Sequence, residues 1–86
     1  MVNSDDLTAA VASAGGIEAV VRGMGAHAGS AGVQEEGCCA LWNLAVKEKA
    51  KVRRAGGAAA VERAQGAFAA NPAVRQMADG AMKAMR

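Results

Sequence analysis

Apolar and polar positions follow a helical period along most of this chain, most clearly between positions 33 and 46. With about 100° of rotation per residue, one side of this helix carries Val33, Gly37, Ala40, Leu41 and Leu44. The other side carries Glu35, Cys39, Trp42 and Val46, with Asn43 beside them. A large aromatic side chain opposite the apolar stripe cannot enter the same core, so we expect Trp42 to cover a neighbouring unit or to contact a ligand.

The sequence resembles itself when it is displaced by 41 positions. The Ala-Gly-Gly triplet at 14–16 then aligns with the triplet at 55–57, and Val33 aligns with Val74. Apolar positions and turns stay in phase beyond these identities. The displacement predicts two copies of one structural unit, repeat one at about 4–44 and repeat two at about 45–86.

Each repeat reads as three helices. We expect short first helices at 5–13, with Ser4 as N-cap, and at 46–54, each ended by a Gly-Gly pair. Second helices begin at Ile17 and Ala58, and third helices begin after a turn, where Asn71 followed by Pro72 is a strong start signal that Ser30 matches in phase. The expected core of the second helices is Ile17, Val20, Val21 and Met24, with Ala58, Val61 and Phe68. The expected core of the last helix is Val74, Ala78, Ala81, Met82 and Met85.

This order of elements, with the stretch Val33-Gln34-Glu35-Glu36-Gly37-Cys38-Cys39-Ala40-Leu41-Trp42-Asn43-Leu44-Ala45, resembles the armadillo repeat. The resemblance covers nearly the whole chain and implies an all-α fold, a short right-handed α-solenoid of two three-helix repeats forming one domain over 1–86. A unit of two helices, as in HEAT repeats, is the alternative architecture.

The armadillo resemblance also implies a function, which is binding of an extended peptide along the concave face lined by third helices. Asn43 matches the position of an asparagine that clamps the ligand backbone in family members such as importin alpha and beta-catenin. The family tryptophan one turn earlier corresponds to Cys39 here, whereas Trp42 stands next to Asn43. Repeat two has Gly80 and Ala84 at these two places, so it reads as degenerate or capping. The expected groove residues are Glu35, Cys39, Trp42, Asn43 and Val46.

Each groove residue has a structural interpretation as well. Trp42 can pack against the adjacent repeat, and Asn43 can bond local backbone at a helix end. In favour of ligand binding, an asparagine amide offers both a donor and an acceptor to an extended backbone, and an exposed tryptophan supplies an apolar wall. The sequence predicts a protein-interaction module that acts as a scaffold.

The net charge of +2 conceals an asymmetry. Residues 1–43 contain five acidic groups and one basic group, and residues 44–86 contain nine basic and three acidic groups. Five of the basic groups form a patch, Lys47, Lys49, Lys51, Arg53 and Arg54. This basic patch suggests an alternative function, an electrostatic adaptor for an acidic protein surface or nucleic acid. Its charges scatter around the helical wheel with no aromatic residue among them, so we expect a solvated helix and no nucleic acid.

Catalysis and metal binding are not expected. The two cysteines are adjacent, which disfavours a disulfide between them, and the one histidine, His27, lies in a Gly-Ala stretch away from them. Two adjacent cysteines and one histidine also lack the spacing of a zinc site. We therefore expect free thiols, no cofactor, no enzyme activity and no membrane segment. These features favour the cytoplasm, with the nucleus as a second location.

The ends of the array predict assembly. Leu7 and Val11 in the first helix, and Met82 and Met85 in the last, are apolar where a further repeat would stack. Opposite charges on the two halves favour head-to-tail contact. We expect end-to-end self-association, or neighbouring repeats in a longer array that cover these faces.

Overall fold

The computed structural model describes residues 15–86, and this range contains four α-helices and no strand. They are α1 (Gly16–Ala26), α2 (Ala31–Arg54), α3 (Gly57–Ala67) and α4 (Pro72–Met85). The expected all-α class is therefore confirmed for this part of the chain. The predicted helix at 5–13, with Ser4, Leu7 and Val11, lies outside the described residues.

The helix ends follow the local sequence. Gly15 and Gly56 have φ of 77° and 87°, the left-handed region that glycine adopts without strain, and α1 and α3 start directly after them, one residue earlier than predicted. The Ser30 hydroxyl accepts a hydrogen bond from the Val33 N–H. The Asn71 side chain accepts from the N–H groups of residues 73 and 74 at 3.0 and 3.2 Å. The predicted N-caps of both third helices are thus present.

The 41-residue displacement found in the sequence recurs in the backbone. His27 and Phe68, which follow α1 and α3, have φ/ψ of −120°/44° and −125°/42°. Ser30 and Asn71 have −98°/110° and −91°/111°. In both turns the N–H of the N-cap residue donates to the carbonyl three residues earlier, at 2.9 Å. The two turns between second and third helices therefore share one conformation.

The separate helix expected at 46–54 is present in shorter form, because a kink at Glu48 divides α2 into two helical segments and the second covers 49–54. Helical hydrogen bonding runs from Ala31 to Arg54, with one residue of non-helical geometry at Glu48 (φ −131°, ψ 52°). No glycine or proline lies between positions 38 and 55, so no residue there forces the chain to leave the helix. The bend falls at 48, after the predicted boundary at 45.

The helices form two layers. Among the described helices, α2 packs mainly on α4 and α1 contacts α3, whereas α1 and α4 do not touch. Trp42 of α2 lies against Gly80 of α4, and the Lys49 ammonium donates to the carbonyl oxygen of Arg86. On both helices the second contact lies closer to the C-terminus than the first, so α2 and α4 run parallel.

The core matches most of the predicted positions. Seven of the expected side chains are buried, namely Ile17, Met24, Val61, Val74, Ala78, Ala81 and Met85. The other five, Val20, Val21, Ala58, Phe68 and Met82, are half-buried against them. Met85 was expected both in the core of the last helix and on the apolar end of the array, and at 3% exposure it belongs to the core.

Two glycines set how closely the helices approach. A Cβ atom on Gly80 would lie 2.4 Å from the Trp42 ring, and a Cβ atom on Gly37 would lie 2.4 Å from Cγ of Met24. Neither distance is possible without displacement of the neighbouring side chain. The missing side chains therefore provide the space for Trp42 and Met24.

Gln34 joins α1 to α2 by hydrogen bonds. Its side chain is 3% exposed, and its Nε2 donates to the carbonyl oxygens of Met24 at 2.9 Å and His27 at 3.0 Å. Carbonyl groups at the end of a helix lack partners within the helix. The Gln34 amide thus provides a partner for the Met24 carbonyl near the end of α1. It adds a second hydrogen bond to the carbonyl of His27, the residue after α1, which also accepts from the Ser30 N–H.

We expect Gly80→Ala to lower the free energy of unfolding by about 1–3 kcal/mol, because the new methyl group displaces the Trp42 ring. Gly66→Ala is the matched control, since Gly66 is helical and a Cβ there meets nothing within 4 Å. The control should be stabilised by about 0.5–1 kcal/mol. Urea unfolding followed by fluorescence of the single tryptophan measures both. Equal effects of the two variants would show that the Gly80 contact does not constrain the packing.

We expect Gln34→Glu to destabilise the fold by about 2–4 kcal/mol at pH 7, because a buried carboxylate would face two carbonyl oxygens. Burial favours the neutral carboxyl, so the penalty should shrink as the pH falls through the raised pKa of this glutamate. Gln76→Glu on the exposed surface of α4 is the control and should be nearly neutral. Thermal unfolding at pH 4 and pH 7 tests this, and a penalty independent of pH would contradict it.

Candidate functional site

The candidate site is a partly exposed stripe along α2 at the edge of its contact with α4. Glu35, Cys39 and Trp42 occupy successive turns and are half-buried, and Val46 continues the stripe at 64% exposure. Val46 is the one large apolar side chain exposed among residues 15–86. The sequence-predicted groove residues therefore do lie on one partly accessible face of a single helix.

Trp42 packs against the adjacent repeat, which is one of the two interpretations that its sequence position allowed. Its six-membered ring covers Gly80, and it adjoins the buried core while remaining half-buried. The ring thus belongs to the contact between the repeats and to the edge of the exposed stripe. Ligand contact would involve the part of the side chain that α4 leaves open.

Asn43 is exposed and almost unbonded. Its Nδ2 lies 3.9 Å from Sγ of Cys39, which is a weak contact, and no described backbone group bonds to the amide. Because α2 continues to Arg54, Asn43 does not end a helix, which removes the local capping interpretation. Its carbonyl oxygen and most of its N–H capacity are available to a ligand.

The two cysteines differ in environment. Cys38 is fully buried, Cys39 is half-buried, and both are free thiols. Burial, with a smaller contribution from the neighbouring Cys39, raises the pKa of the Cys38 thiol to about 11. A thiol held neutral in this way is a core side chain and a poor nucleophile.

The basic patch does not form one surface. All five of its residues are exposed, but Lys49 bonds to the end of α4 and Lys51 pairs with Glu48 at 3.7 Å. Lys51 and Arg54 also line a groove of about 320 Å³ beside Ile17 and Glu18, at the start of α1. The patch is therefore spread over several directions, as its helical wheel predicted.

Residues 15–86 contain no cluster of three or more His, Cys, Asp or Glu that could hold a metal ion. None of the described helices is long and apolar enough to cross a membrane.

Comparisons with protein-family models, curated proteins and solved structures each found no match to this chain. The armadillo resemblance therefore stays a prediction from the sequence.

Two structurally important residues were not among the predicted site residues. The partners of Gln34, two carbonyls at the end of α1, become visible only once the α1–α2 turn is known. The sequence assigned Gly80 only to a groove position of repeat two that has no side chain. Its counterpart in repeat one, Cys39, did not indicate that Trp42 packs on Gly80. A glycine in one predicted helix, together with a tryptophan outside the apolar stripe of another helix, is the pattern that could have predicted this contact.

We expect one fast-reacting thiol, Cys39, when the native protein meets a thiol reagent at pH 8, and a second thiol only after unfolding. Because the folded pKa of Cys38 lies above its ordinary value, its neutral form favours the folded state below about pH 9. This contribution should be lost as the pH rises toward about 11. Unfolding experiments across this range, compared with Cys38→Ala, test the sign. Two equally fast native thiols would contradict the buried position of Cys38.

Proposed function

We propose that this chain is a protein-interaction module that binds an extended peptide along the exposed stripe of α2. The observation that carries the proposal is Asn43, an exposed amide with spare donor and acceptor capacity, flanked on its own helix by Trp42 and Val46. An extended peptide has unpaired backbone N–H and C=O groups, and one amide side chain can meet both. Trp42 and Val46 offer apolar contact to the side chains on either side.

An armadillo-like solenoid is the architecture that we propose for this module. The layered helices, the parallel course of α2 and α4, and the shared turn geometry support it. The kink at Glu48 separates a short segment, 49–54, that takes the place of a first helix in repeat two. A HEAT-like pair of helices would require no such bend.

Binding through this stripe should be weak, because the chain carries one clamp. Gly80 and Ala84 stand in repeat two where repeat one has Cys39 and Asn43, so α4 has no matching amide. Repeat proteins gain affinity by repeating a contact along the array. The single clamp therefore favours a short peptide or a partner that also contacts another surface.

The second candidate function is electrostatic binding of an acidic protein surface. The specific observation is that Arg53 and Arg54 are exposed and have no ion pair among the described residues. No aromatic side chain accompanies them for base stacking, so an acidic protein fits better than nucleic acid. We propose no catalytic activity for either surface.

We expect Asn43→Ala to weaken binding of an extended peptide about fivefold to tenfold, which corresponds to loss of roughly one net hydrogen bond. The peptide is chosen by screening a library of unstructured peptides by chemical-shift mapping on the full chain. Asn43 is exposed and helical, so the variant should retain the native fold. Gln76→Ala removes an exposed amide from α4 and is the matched control.

The salt dependence separates the two candidates. Binding through the α2 stripe should survive Arg53→Glu combined with Arg54→Glu and change little between low and moderate salt. Electrostatic binding should be lost in that double variant, fall steeply with salt, and survive Asn43→Ala. Affinity unaffected by Asn43→Ala would exclude the α2 stripe as the binding surface.

A further inference from the structure

A second surface of repeat one, separate from the α2 stripe, is an apolar groove between α1 and α2. It has a volume of about 280 Å³ and is lined by Val20, Gly23, Met24, Val33, Glu36, Gly37 and Ala40. A Cβ atom on Gly23 would meet nothing within 4 Å, so this position leaves the floor open. Glu36 supplies a negative charge to a lining that is otherwise uncharged.

The same surface in repeat two is covered at most of its positions. Displacement of the seven lining residues by 41 positions gives Val61, Ala64, Val74, Ala78 and Ala81, which are all at most 1% exposed. It also gives Gln65 and Met77, which are half-buried. Their counterparts Val20, Val33 and Ala40 are half-exposed. One structural surface thus occurs twice in the molecule, mostly buried in repeat two and open in repeat one.

Helix α2 shows what covers this surface in repeat two. Its face toward α4 carries Cys38, Leu41, Trp42 and Ala45, at the spacing i, i+3, i+4 and i+7 that forms one helical stripe. Cys38, Leu41 and Ala45 are at most 2% exposed, and Trp42 rests on Gly80. The occupant in repeat two is therefore a helix with a continuous apolar stripe that runs parallel to α4.

Within residues 15–86, helix α4 at the other end offers no second stripe of this kind. The positions of α4 that correspond to the covering stripe are Asp79, Met82, Lys83 and Arg86. Three of these are charged and exposed, and placing them on an apolar groove would remove their hydration while Glu36 is the one charged partner in the lining. A head-to-tail copy of this chain is consequently a poorer occupant than a helix with an apolar stripe.

We infer that the α1–α2 groove of repeat one binds an amphipathic α-helix whose i, i+3, i+4, i+7 positions are small or aliphatic and which carries a lysine or arginine near Glu36. The packing of α2 on repeat two indicates that the partner is a helix with an apolar stripe. The negative charge of Glu36 favours a basic residue beside that stripe. The groove does not include Asn43, so this inference stands apart from the proposed peptide site.

A stapled peptide that reproduces α2 is the direct probe. It carries residues 34–47 of this chain with both cysteines replaced by alanine and the staple across positions 36 and 40, opposite the stripe. Titration into the full chain should shift the amide resonances of Val20, Val33 and Ala40. The control peptide, with Leu41→Glu and Ala45→Glu, should cause no shifts at these residues.

Variants of the protein locate the contact. Ala40→Glu places a charge in the groove and should weaken binding of the probe at least tenfold, whereas Ala59→Glu on the exposed side of α3 should leave it unchanged. Gly23→Leu fills the open floor without adding charge and should weaken binding too. It serves as the second variant if Ala40→Glu perturbs the fold. Asn43→Ala should have no effect on this binding, whatever its effect on peptides bound at the α2 stripe.

Four outcomes would overturn the inference. The first is the absence of shifts at a probe concentration of about 1 mM, where even an interaction of about −4 kcal/mol is detectable, and the second is shifts at Val74 and Ala78 in place of the groove residues. The third is an affinity for the probe that neither groove variant changes. The fourth, in the free protein, is nuclear Overhauser contacts to Val33 and Ala40 from residues 1–14 or from a second copy of the chain.

Discussion

The structure depends on the close approach of α2 and α4 where Trp42 lies on Gly80. The core is made mostly of Ala and Val, which bury little apolar area per residue. Such helices gain enough contact only when their backbones come close, because dispersion attraction falls off within a fraction of an ångström. The single tryptophan is accommodated at this distance because the facing residue has no side chain. One glycine therefore allows both the close approach and the partial burial of the largest side chain.

The turn between α1 and α2 shows how the same backbone is stabilised differently in the two repeats. In repeat one Gln34 bonds two carbonyls at the end of α1, and Ser30 caps α2 with one bond. In repeat two the counterpart of Gln34 is the exposed Arg75, and Asn71 provides two capping bonds ahead of Pro72. The turn conformation is common to both, while the stabilising side chains have diverged. This divergence explains why sequence identity between the repeats is low although their dihedral angles agree.

The sequence predicted what depends on local signals. The Gly-Gly breaks, the Ser30 and Asn71 caps and the apolar period located the starts of all four described helices within one residue, and most core residues followed. The Glu48 bend could not be located, because no glycine or proline marks it. The stripe from Glu35 to Val46 was predicted from periodicity alone. The support of that stripe by Gly80 was not, since it depends on a contact between residues 38 positions apart.

The double role of Trp42 has a consequence for binding at the α2 stripe. A free tryptophan side chain loses rotamer freedom when a ligand immobilises it, and that loss opposes binding. Here Gly80 already holds the ring in place through contacts within the fold, so a ligand that accepts the ring in this position incurs little of that cost. A ligand that requires the ring elsewhere must first break the α2–α4 contact. At the proposed peptide site, the packing of Trp42 on α4 would therefore favour ligands that fit the ring where α4 holds it, and this would couple the specificity of the site to the stability of the fold.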